Sequence, residues 1–179
     1  MIFEPTPLKG LLLVKAEKHR DERGYFSRLW CDQEFPLADV PFVPRQISAS
    51  YNRASGTLRG LHWQAEPQGE AKLVRATRGQ IFDVAVDLRP YSPSRFKWFG
   101  AILDAESQLG LFIPRGFAHG FITLADASEV LYLIDAPFQP ELSCGARYDD
   151  PAFGVQWPRS PAIISERDLT WPPIVGAPR

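Results

Sequence analysis

The chain has 179 residues, 45% of them hydrophobic, which is enough for one domain spanning residues 1–179 with a sizeable core. Its 20 basic and 21 acidic residues leave a formal net charge of -1, so no global positive field favours nucleic acid or an anionic membrane as a partner. Two cysteines outside any Cys-x-x-Cys motif, no signal-peptide pattern and no apolar run of about 18 residues predict a cytoplasmic protein.

Proline and glycine divide the chain into short segments, almost none of which is long enough for an amphipathic helix. Alternating apolar and polar residues between turn signals predict short strands instead. In chain order these are residues 10–16, 25–30, 45–52, 58–64, 71–77, 80–88, 97–103, 110–113, 118–124 and 129–134. Residues 19–24 are expected to form a charged loop, and residues 32–35 suit one helical turn.

Eight or more strands without interleaved helices predict an all-β closed barrel or jelly roll. The strongest hairpin signal joins residues 71–77 to 80–88 through Arg78-Gly79. In the second strand of this predicted hairpin, Phe82 and Val84 share one face, and Asp83 and Asp87 lie on the opposite face. From residue 141 the chain is rich in Pro, Trp and Asp, so we expect an irregular cover packed on the barrel.

Residues 56–64 (GTLRGLHWQ) place Arg59 and His62 on a glycine-hinged apolar strand. In a regular strand these two side chains would point to opposite faces, so we predict a bulge at Gly60 that re-aims one of them. The residue two positions after His62 is Gln64, whereas metal-binding barrels need a second histidine there. The three histidines are scattered through the chain, so we expect no metal, and no glycine-rich nucleotide motif is found.

Lys72 has two interpretations. It lies either on the solvated face of an edge strand or inside the barrel, where a cation would lower the energy of an oxyanion. Arg23, in a charged turn, has an ordinary surface interpretation as well. Together with Arg59 it could instead form a bidentate phosphate grip.

His119 lies in a dense Pro/Gly/aromatic segment, where it either packs in a turn or reaches a ligand. Tyr132 shares a face with Val130 and Ile134 and is either a core residue or, if it lines the barrel, a proton donor. Asp168, in the acidic tail, would be a surface residue by default.

The chain resembles the dTDP-4-dehydrorhamnose 3,5-epimerase family, the metal-free sugar-nucleotide epimerases of the cupin superfamily. The motifs that carry the resemblance are residues 21–26 (DERGYF), 56–64, 71–75 (AKLVR), 81–89 (IFDVAVDLR), 113–121 (IPRGFAHGF), Tyr132, Asp150-Pro151, Trp157-Pro158 and 165–168 (SERD). The resemblance implies a cupin-type jelly-roll homodimer, an isomerase that needs no cofactor and serves deoxysugar and polysaccharide biosynthesis. Its substrate would be a nucleoside-diphosphate 4-keto-6-deoxyhexose, by default dTDP-4-dehydro-6-deoxyglucose, which is converted to dTDP-4-dehydrorhamnose.

The resemblance also implies residue roles. His62 matches the family's base, Asp168 its orienting carboxylate, Tyr132 its acid and Lys72 the lysine near the keto oxygen. The implied substrate-binding positions are Arg23 and Arg59 at the pyrophosphate, His119 at the substrate, and Phe26, Arg28, Gln46, Ser48, Ser143 and Arg167 around the nucleoside or sugar. The chemistry suits these residue types, because a ketone at carbon 4 acidifies the protons on carbons 3 and 5.

Three alternatives stay open. Arg28 stands where the family carries a glutamate, so a GDP-, CDP- or UDP-linked 4-keto sugar is possible. Inversion at one carbon only is a second alternative. The third is a non-catalytic, ligand-binding cupin. The enzyme hypothesis predicts that Asp168 lies within hydrogen-bond reach of His62, and a separation far beyond that would favour the non-catalytic cupin.

Overall fold

The structure is a computed structural model that describes residues 1–174, and it consists mainly of antiparallel strands. The strands are β1 (Ile2–Pro5), β2 (Leu12–Lys15), β3 (Lys18–Asp21), β4 (Gly24–Ser27), β5 (Gln46–Asn52), β6 (Leu58–Gln64), β7 (Lys72–Arg78), β8 (Gln80–Asp87), β9 (Trp98–Asp104), β10 (Leu109–Ile113), β11 (Phe117–Thr123), β12 (Ser128–Ile134) and β13 (Ser143–Gly145). The helices are the single turns α1 (Glu34–Leu37) and α2 (Glu166–Leu169), with a 3₁₀ turn at Pro140–Leu142. No helix among the described residues has the length and apolar character needed to cross a membrane.

Two antiparallel sheets face each other as in a jelly roll, which confirms the predicted fold class. One sheet has six strands in the order β1-β2-β10-β7-β12-β5, and the other has five in the order β13-β6-β11-β8-β9. Strands β3 and β4 pair only with each other and form a separate hairpin, here called the arm. The arm replaces the charged loop expected at residues 19–24. Neither of its faces is buried in a sheet core, so it lacks the apolar alternation that marks the other strands.

The prediction that β7 and β8 pair with each other as a hairpin is wrong. Strand β7 pairs with β10 and β12 in the six-stranded sheet, whereas β8 pairs with β11 and β9 in the other. Gly79, with φ of +70°, turns the chain from one sheet to the other, and a Cβ there would lie 2.9 Å from the Cα of Ser128. A tight corner between two sheets and a hairpin turn can both need a glycine with positive φ. The Arg78-Gly79 signal therefore does not distinguish between them.

The main core fills the space between the two sheets. It is built by the inward faces of the strands, including Val74 on β7, Val130 on β12, Ile81 on β8 and Phe121 on β11. A second cluster around Phe35 packs outside the six-stranded sheet, and a third packs the tail against the five-stranded sheet. The tail is thus a packed cover, as predicted, but it contains β13 and α2, which were not predicted from the sequence.

Candidate active site

A cavity of roughly 620 Å³ lies between the sheets at one end of the core. Side chains of both sheets and of the tail line it. Nine of the residues proposed from the sequence are among them: Gln46, Ser48, Arg59, His62, Lys72, His119, Tyr132, Arg167 and Asp168. Its volume is in the range of small-ligand sites.

Strand β6 carries the bulge predicted at Gly60. His119 of β11 is paired with His62, and Phe121 with Arg59, so three steps along β6 match two along β11. The extra residue lets Arg59 and His62 both line the cavity although their spacing has the wrong parity for one face. Gly60 has φ of +123°, and a Cβ on it would come within 2.6 Å of the Cα of Gly120.

His62 and Asp168 form a hydrogen-bonded pair. The distance from His62 Nε2 to Asp168 Oδ1 is 2.6 Å, and the Gly60 N–H donates to Asp168 Oδ2 at 3.2 Å. Burial alone would raise the pKa of Asp168, but the hydrogen bond and charge of His62 and the Gly60 N–H lower it overall. Asp168 is therefore a carboxylate at neutral pH. Since a carboxylate only accepts, the imidazole nitrogen facing it carries a proton, and the other ring nitrogen is the one that can act on a ligand.

Asp168 is held in place by its own helical turn. Ser165 caps α2, and its Oγ accepts from the Asp168 N–H at 3.1 Å. The segment before α2 lies along β6, where the Leu58 N–H donates to the Ile163 carbonyl at 2.8 Å. The prediction that Asp168 lies within hydrogen-bond reach of His62 is confirmed. The default prediction that Asp168 is a surface residue is wrong, because its side chain is buried.

Tyr132 and Lys72 enter the cavity from the opposite sheet. The Tyr132 hydroxyl lies 3.3 Å from Ser50 Oγ, and burial raises the pKa of the phenol, so it stays protonated at neutral pH. Lys72 lies on β7, an interior strand between β10 and β12, and is 6% exposed. The edge-strand interpretation of Lys72 is therefore wrong, and Lys72 donates to Glu70 Oε1 at 2.6 Å.

His119 has a buried partner that was not predicted from the sequence. Its Nε2 lies 2.7 Å from Asp83 Oδ1, and Asp83 is fully buried. The predicted alternation along β8 did separate Asp83 from Phe82 and Val84, but the face that carries Asp83 is the barrel interior. Strand β8 is buried on both faces, but its alternation of apolar and acidic residues is the pattern of a strand with one solvent-exposed face. The sequence pattern therefore does not show that Asp83 is buried.

Arg59 is held by Asn52, to whose side-chain oxygen it donates at 2.8 Å. Asn52 is buried, and no role for it was predicted from the sequence. On the same edge strand Gln46 donates to Ser48 Oγ at 3.2 Å, so both residues line the cavity as a pair.

Ser143 lies outside the main cavity, next to it. Arg167 donates to Ser143 Oγ at 3.1 Å, and both line a side cavity of roughly 210 Å³ that shares His62 with the main one. Gln64, which stands where a metal site would need a histidine, is engaged by backbone groups, including the Gln139 N–H at 2.8 Å. Among residues 1–174 no group of three or more His, Cys, Asp or Glu side chains is arranged to hold a metal ion.

Three proposed binding residues lie on or beside the arm and do not reach the cavity of their own chain. Arg23 is exposed and pairs with Asp21. Phe26 is 70% exposed, and Arg28 donates to Glu34 at 3.0 Å. Their proposed role in binding stays a prediction.

The geometry suits acid–base chemistry on a small molecule. One wall of the cavity offers an imidazole held by a carboxylate, and the other offers a protonated phenol and an ammonium group. Such an arrangement can remove a proton from one face of a ligand and supply one from the other, with a cation for the negative charge that develops.

A family model described as dTDP-4-dehydrorhamnose 3,5-epimerase matches residues 5–175. A protein of Sinorhizobium fredii (strain NBRC 101917 / NGR234) named dTDP-4-dehydrorhamnose 3,5-epimerase is 41% identical over 181 residues, covering 99% of this chain and 92% of that protein.

Two solved structures extend the similarity to the fold. A dTDP-4-dehydrorhamnose 3,5-epimerase from Bacillus anthracis str. Ames, with TDP and PPi bound, superposes with a TM-score of 0.94 at 32% identity and covers 97% of this chain and 99% of that one. The dTDP-6-deoxy-D-glucose-3,5-epimerase of Legionella pneumophila Philadelphia 1, in complex with dTDP-4-keto-L-rhamnose, gives a TM-score of 0.89 at 32% identity and covers 94% of this chain and 89% of that one.

Proposed function

The chain belongs to the dTDP-4-dehydrorhamnose 3,5-epimerase family, which makes it an isomerase of the epimerase class, and we propose that it converts dTDP-4-dehydro-6-deoxyglucose to dTDP-4-dehydrorhamnose. The observation that carries this proposal is that the groups of a base and of an acid face each other across one cavity. The His62–Asp168 pair lies on one side, and Tyr132 and Lys72 lie on the other.

The first half of the reaction is proton removal. The ketone at carbon 4 acidifies the neighbouring C–H bonds, so the His62 nitrogen that faces away from Asp168 takes the proton while the C–H electron pair moves into an enolate. Asp168 orients the imidazole and stabilises the imidazolium that forms. The ammonium of Lys72 stabilises the negative charge on the enolate oxygen.

The second half is reprotonation from the opposite face. Tyr132 projects from the opposite sheet and keeps its proton at neutral pH, because burial raises the pKa of the phenol. Donation of that proton to carbon re-forms the ketone and inverts the centre. The tyrosinate then takes a proton from solvent, and the His62 imidazolium releases its proton to solvent. The same events at carbon 5 and carbon 3 complete the double inversion without an external oxidant or reductant.

The remaining cavity residues bind rather than react. Arg59, fixed by Asn52, is the cation for the pyrophosphate, and His119, fixed by Asp83, contacts the sugar. Gln46 and Ser48 line the cavity, as does Arg167, and they contact the sugar or nucleoside.

We further propose that the enzyme is a homodimer in which the arm of one protomer completes the site of the other. Arg23 and Phe26 lie on a hairpin that pairs with no other strand, and both are exposed. A second copy can bring an arginine to the pyrophosphate and an aromatic ring to the base. Mixing inactive His62→Ala and Arg23→Ala proteins should then restore activity, because a mixed dimer contains one intact site. No recovery after subunit exchange would contradict the shared site.

Both cysteines, Cys31 and Cys144, are free thiols, which favours a reducing compartment. We therefore propose the cytoplasm as the site of action.

The proposed function is tested by proton exchange in deuterated water. Incubation with dTDP-4-dehydro-6-deoxyglucose should place deuterium on carbons 3 and 5, and nuclear magnetic resonance (NMR) assigns each position. His62→Ala should abolish the exchange. Absence of exchange with this substrate and with GDP-, CDP- and UDP-linked 4-keto sugars would refute an epimerase, and label on one carbon only would establish a single-carbon enzyme.

A non-catalytic ligand-binding cupin is the competing class. A pure binder has no use for an imidazole held by a carboxylate at 2.6 Å, and this distance is why we favour the enzyme. Thermal-shift screening against the four nucleoside diphosphates distinguishes the nucleotide alternatives.

A further inference from the structure

Glu70 and Lys72 form a buried ion pair in the wall of the cavity. Lys72 Nζ lies 2.6 Å from Glu70 Oε1, and the two side chains are only 8% and 12% exposed. Lys72 lines the main cavity, whereas Glu70 lines the side cavity together with His62. Glu70 is not among the residues that line the main cavity, so its carboxylate contacts the lysine outside the space that a ligand would fill.

Two hydrogen bonds with Asp135 hold the residue just before β7. The Ala71 N–H donates to Asp135 Oδ1 at 2.7 Å, and the Asp135 N–H donates to the Ala71 carbonyl at 3.1 Å. Glu70 and Lys72 flank Ala71, and the contact of 2.6 Å between them shows that their side chains lie on the same side of the chain. Glu70 therefore lies two residues before β7, beside a residue that is hydrogen-bonded to Asp135.

Lysine needs such an anchor more than arginine does. Its ammonium is a point charge on four flexible methylenes, and it has no fixed hydrogen-bonding geometry of its own. Among the described residues, the ammonium of Lys72 has Glu70 as its one hydrogen-bond partner. Without that acceptor the side chain is free to take other rotamers, and its distance from a ligand oxygen is no longer set.

We propose that Glu70 is a positioning residue, which holds the Lys72 ammonium at the place where the enolate oxygen forms. This rests on the proposed function, and it adds the group that determines where the oxyanion-stabilising charge lies. Glu70 itself does not touch the substrate. It acts through its acceptor oxygen, so an amide at this position should serve nearly as well as a carboxylate.

Two variants separate this role from general destabilisation. Glu70→Leu removes the acceptor at similar size and should lower the rate of deuterium exchange by about 10–100-fold, because misplacing a catalytic group by ~1 Å has effects of this order. Glu70→Gln keeps an acceptor oxygen and should stay within about threefold of wild type. The affinity for dTDP, which lacks the keto sugar, should be unchanged in both variants, since the lysine acts on the keto oxygen alone.

Glu66→Leu is the matched control, because Glu66 lies in the same loop but is exposed and outside the cavity. It should leave the exchange rate and dTDP binding unchanged. Unfolding midpoints measured for each variant identify any loss of folded protein.

A double-mutant cycle tests whether Glu70 acts through Lys72. In a Lys72→Met background, followed at high enzyme concentration over hours, Glu70→Leu should cost nothing further. An equal additional loss in that background would overturn the proposal, as would Glu70→Leu with wild-type exchange or Glu70→Gln as slow as Glu70→Leu. Failure of the wild-type enzyme to exchange would instead refute the proposed function.

Discussion

Replacing Gly60 with alanine tests the bulge that brings Arg59 and His62 to one cavity. The backbone there has φ of +123°, which is disfavoured for any residue with a Cβ. The new Cβ would also lie 2.6 Å from the Cα of Gly120 and 2.8 Å from the carbonyl oxygen of His119. Both contacts are with backbone of the adjacent strand, so no side-chain rotation relieves them.

The size of the effect follows from this geometry. Strands β6 and β11 must separate by about 0.8 Å, the difference between 2.6 Å and the 3.4 Å at which ordinary contact begins. The backbone conformation costs about 1–3 kcal/mol and the overpacking about 1–3 kcal/mol more, so we expect a loss of about 2–6 kcal/mol in the free energy of unfolding. A displacement of His62 approaching 1 Å should also reduce the exchange rate by ~100-fold.

Gly154→Ala is the matched control. Gly154 also has a positive φ, +59°, but nothing lies within 4 Å of its Cβ position, so only the conformational cost of about 1 kcal/mol applies. Urea denaturation gives the free energies, and deuterium exchange gives the activity of the folded fraction. Equal destabilisation by Gly60→Ala and Gly154→Ala, with exchange near the wild-type rate, would refute the role of the bulge.

Three further variants test individual groups. Asp168→Asn keeps the size of the side chain but removes the charge that orients His62, so exchange measured by NMR should fall by about 10²–10⁴-fold; a smaller loss would contradict its role. Tyr132→Phe should slow formation of inverted product more than loss of substrate C–H, and equal losses would argue against it as the acid. Burial would raise the pKa of Asp87, but hydrogen bonds from Arg89 and two serines outweigh it and lower the pKa to about 2. The ionised carboxylate therefore stabilises the fold above about pH 4. After allowance for partial screening by solvent, we expect this contribution to be roughly 1–2 kcal/mol. Urea denaturation of Asp87→Asn should show this loss at pH 7, and the difference from wild type should vanish as the pH falls toward 2; a pH-independent difference would contradict it.

The strands were predictable where one face is apolar and turn residues bound the segment. Residues 58–64 were predicted with the bounds that β6 has, and β8 was predicted within one residue. The pairing of strands was harder, because the Gly79 turn has the composition of a hairpin yet connects two sheets. Local turn chemistry specifies a change of direction and leaves the pairing partners to long-range packing.

The candidate site could be predicted for residues whose chemistry is unusual in a strand, such as His62 and Lys72. The hydrogen-bonding partners of the site residues could not be predicted from the sequence. Asp83 lies 36 residues from His119 in sequence, and its pairing follows from β8 and β11 being neighbours. Glu70 is close to Lys72 in sequence, but an acid two residues from a lysine is ordinary on a solvated strand. Only the burial of both side chains distinguishes it.

The tail contributes more than the cover expected from its composition. The Ala162 N–H donates to the Gly56 carbonyl at 2.9 Å, so the tail is hydrogen-bonded to the same segment that carries Gly60 and His62. Asp168 then accepts from both the Gly60 N–H and the His62 ring. One carboxylate therefore joins the bulge, the imidazole and the tail, so the geometry of the base depends on the bulge and the tail together. Tyr132 and Lys72 belong to the opposite sheet, and the distance between the proposed base and acid is set by the packing of the core between the sheets.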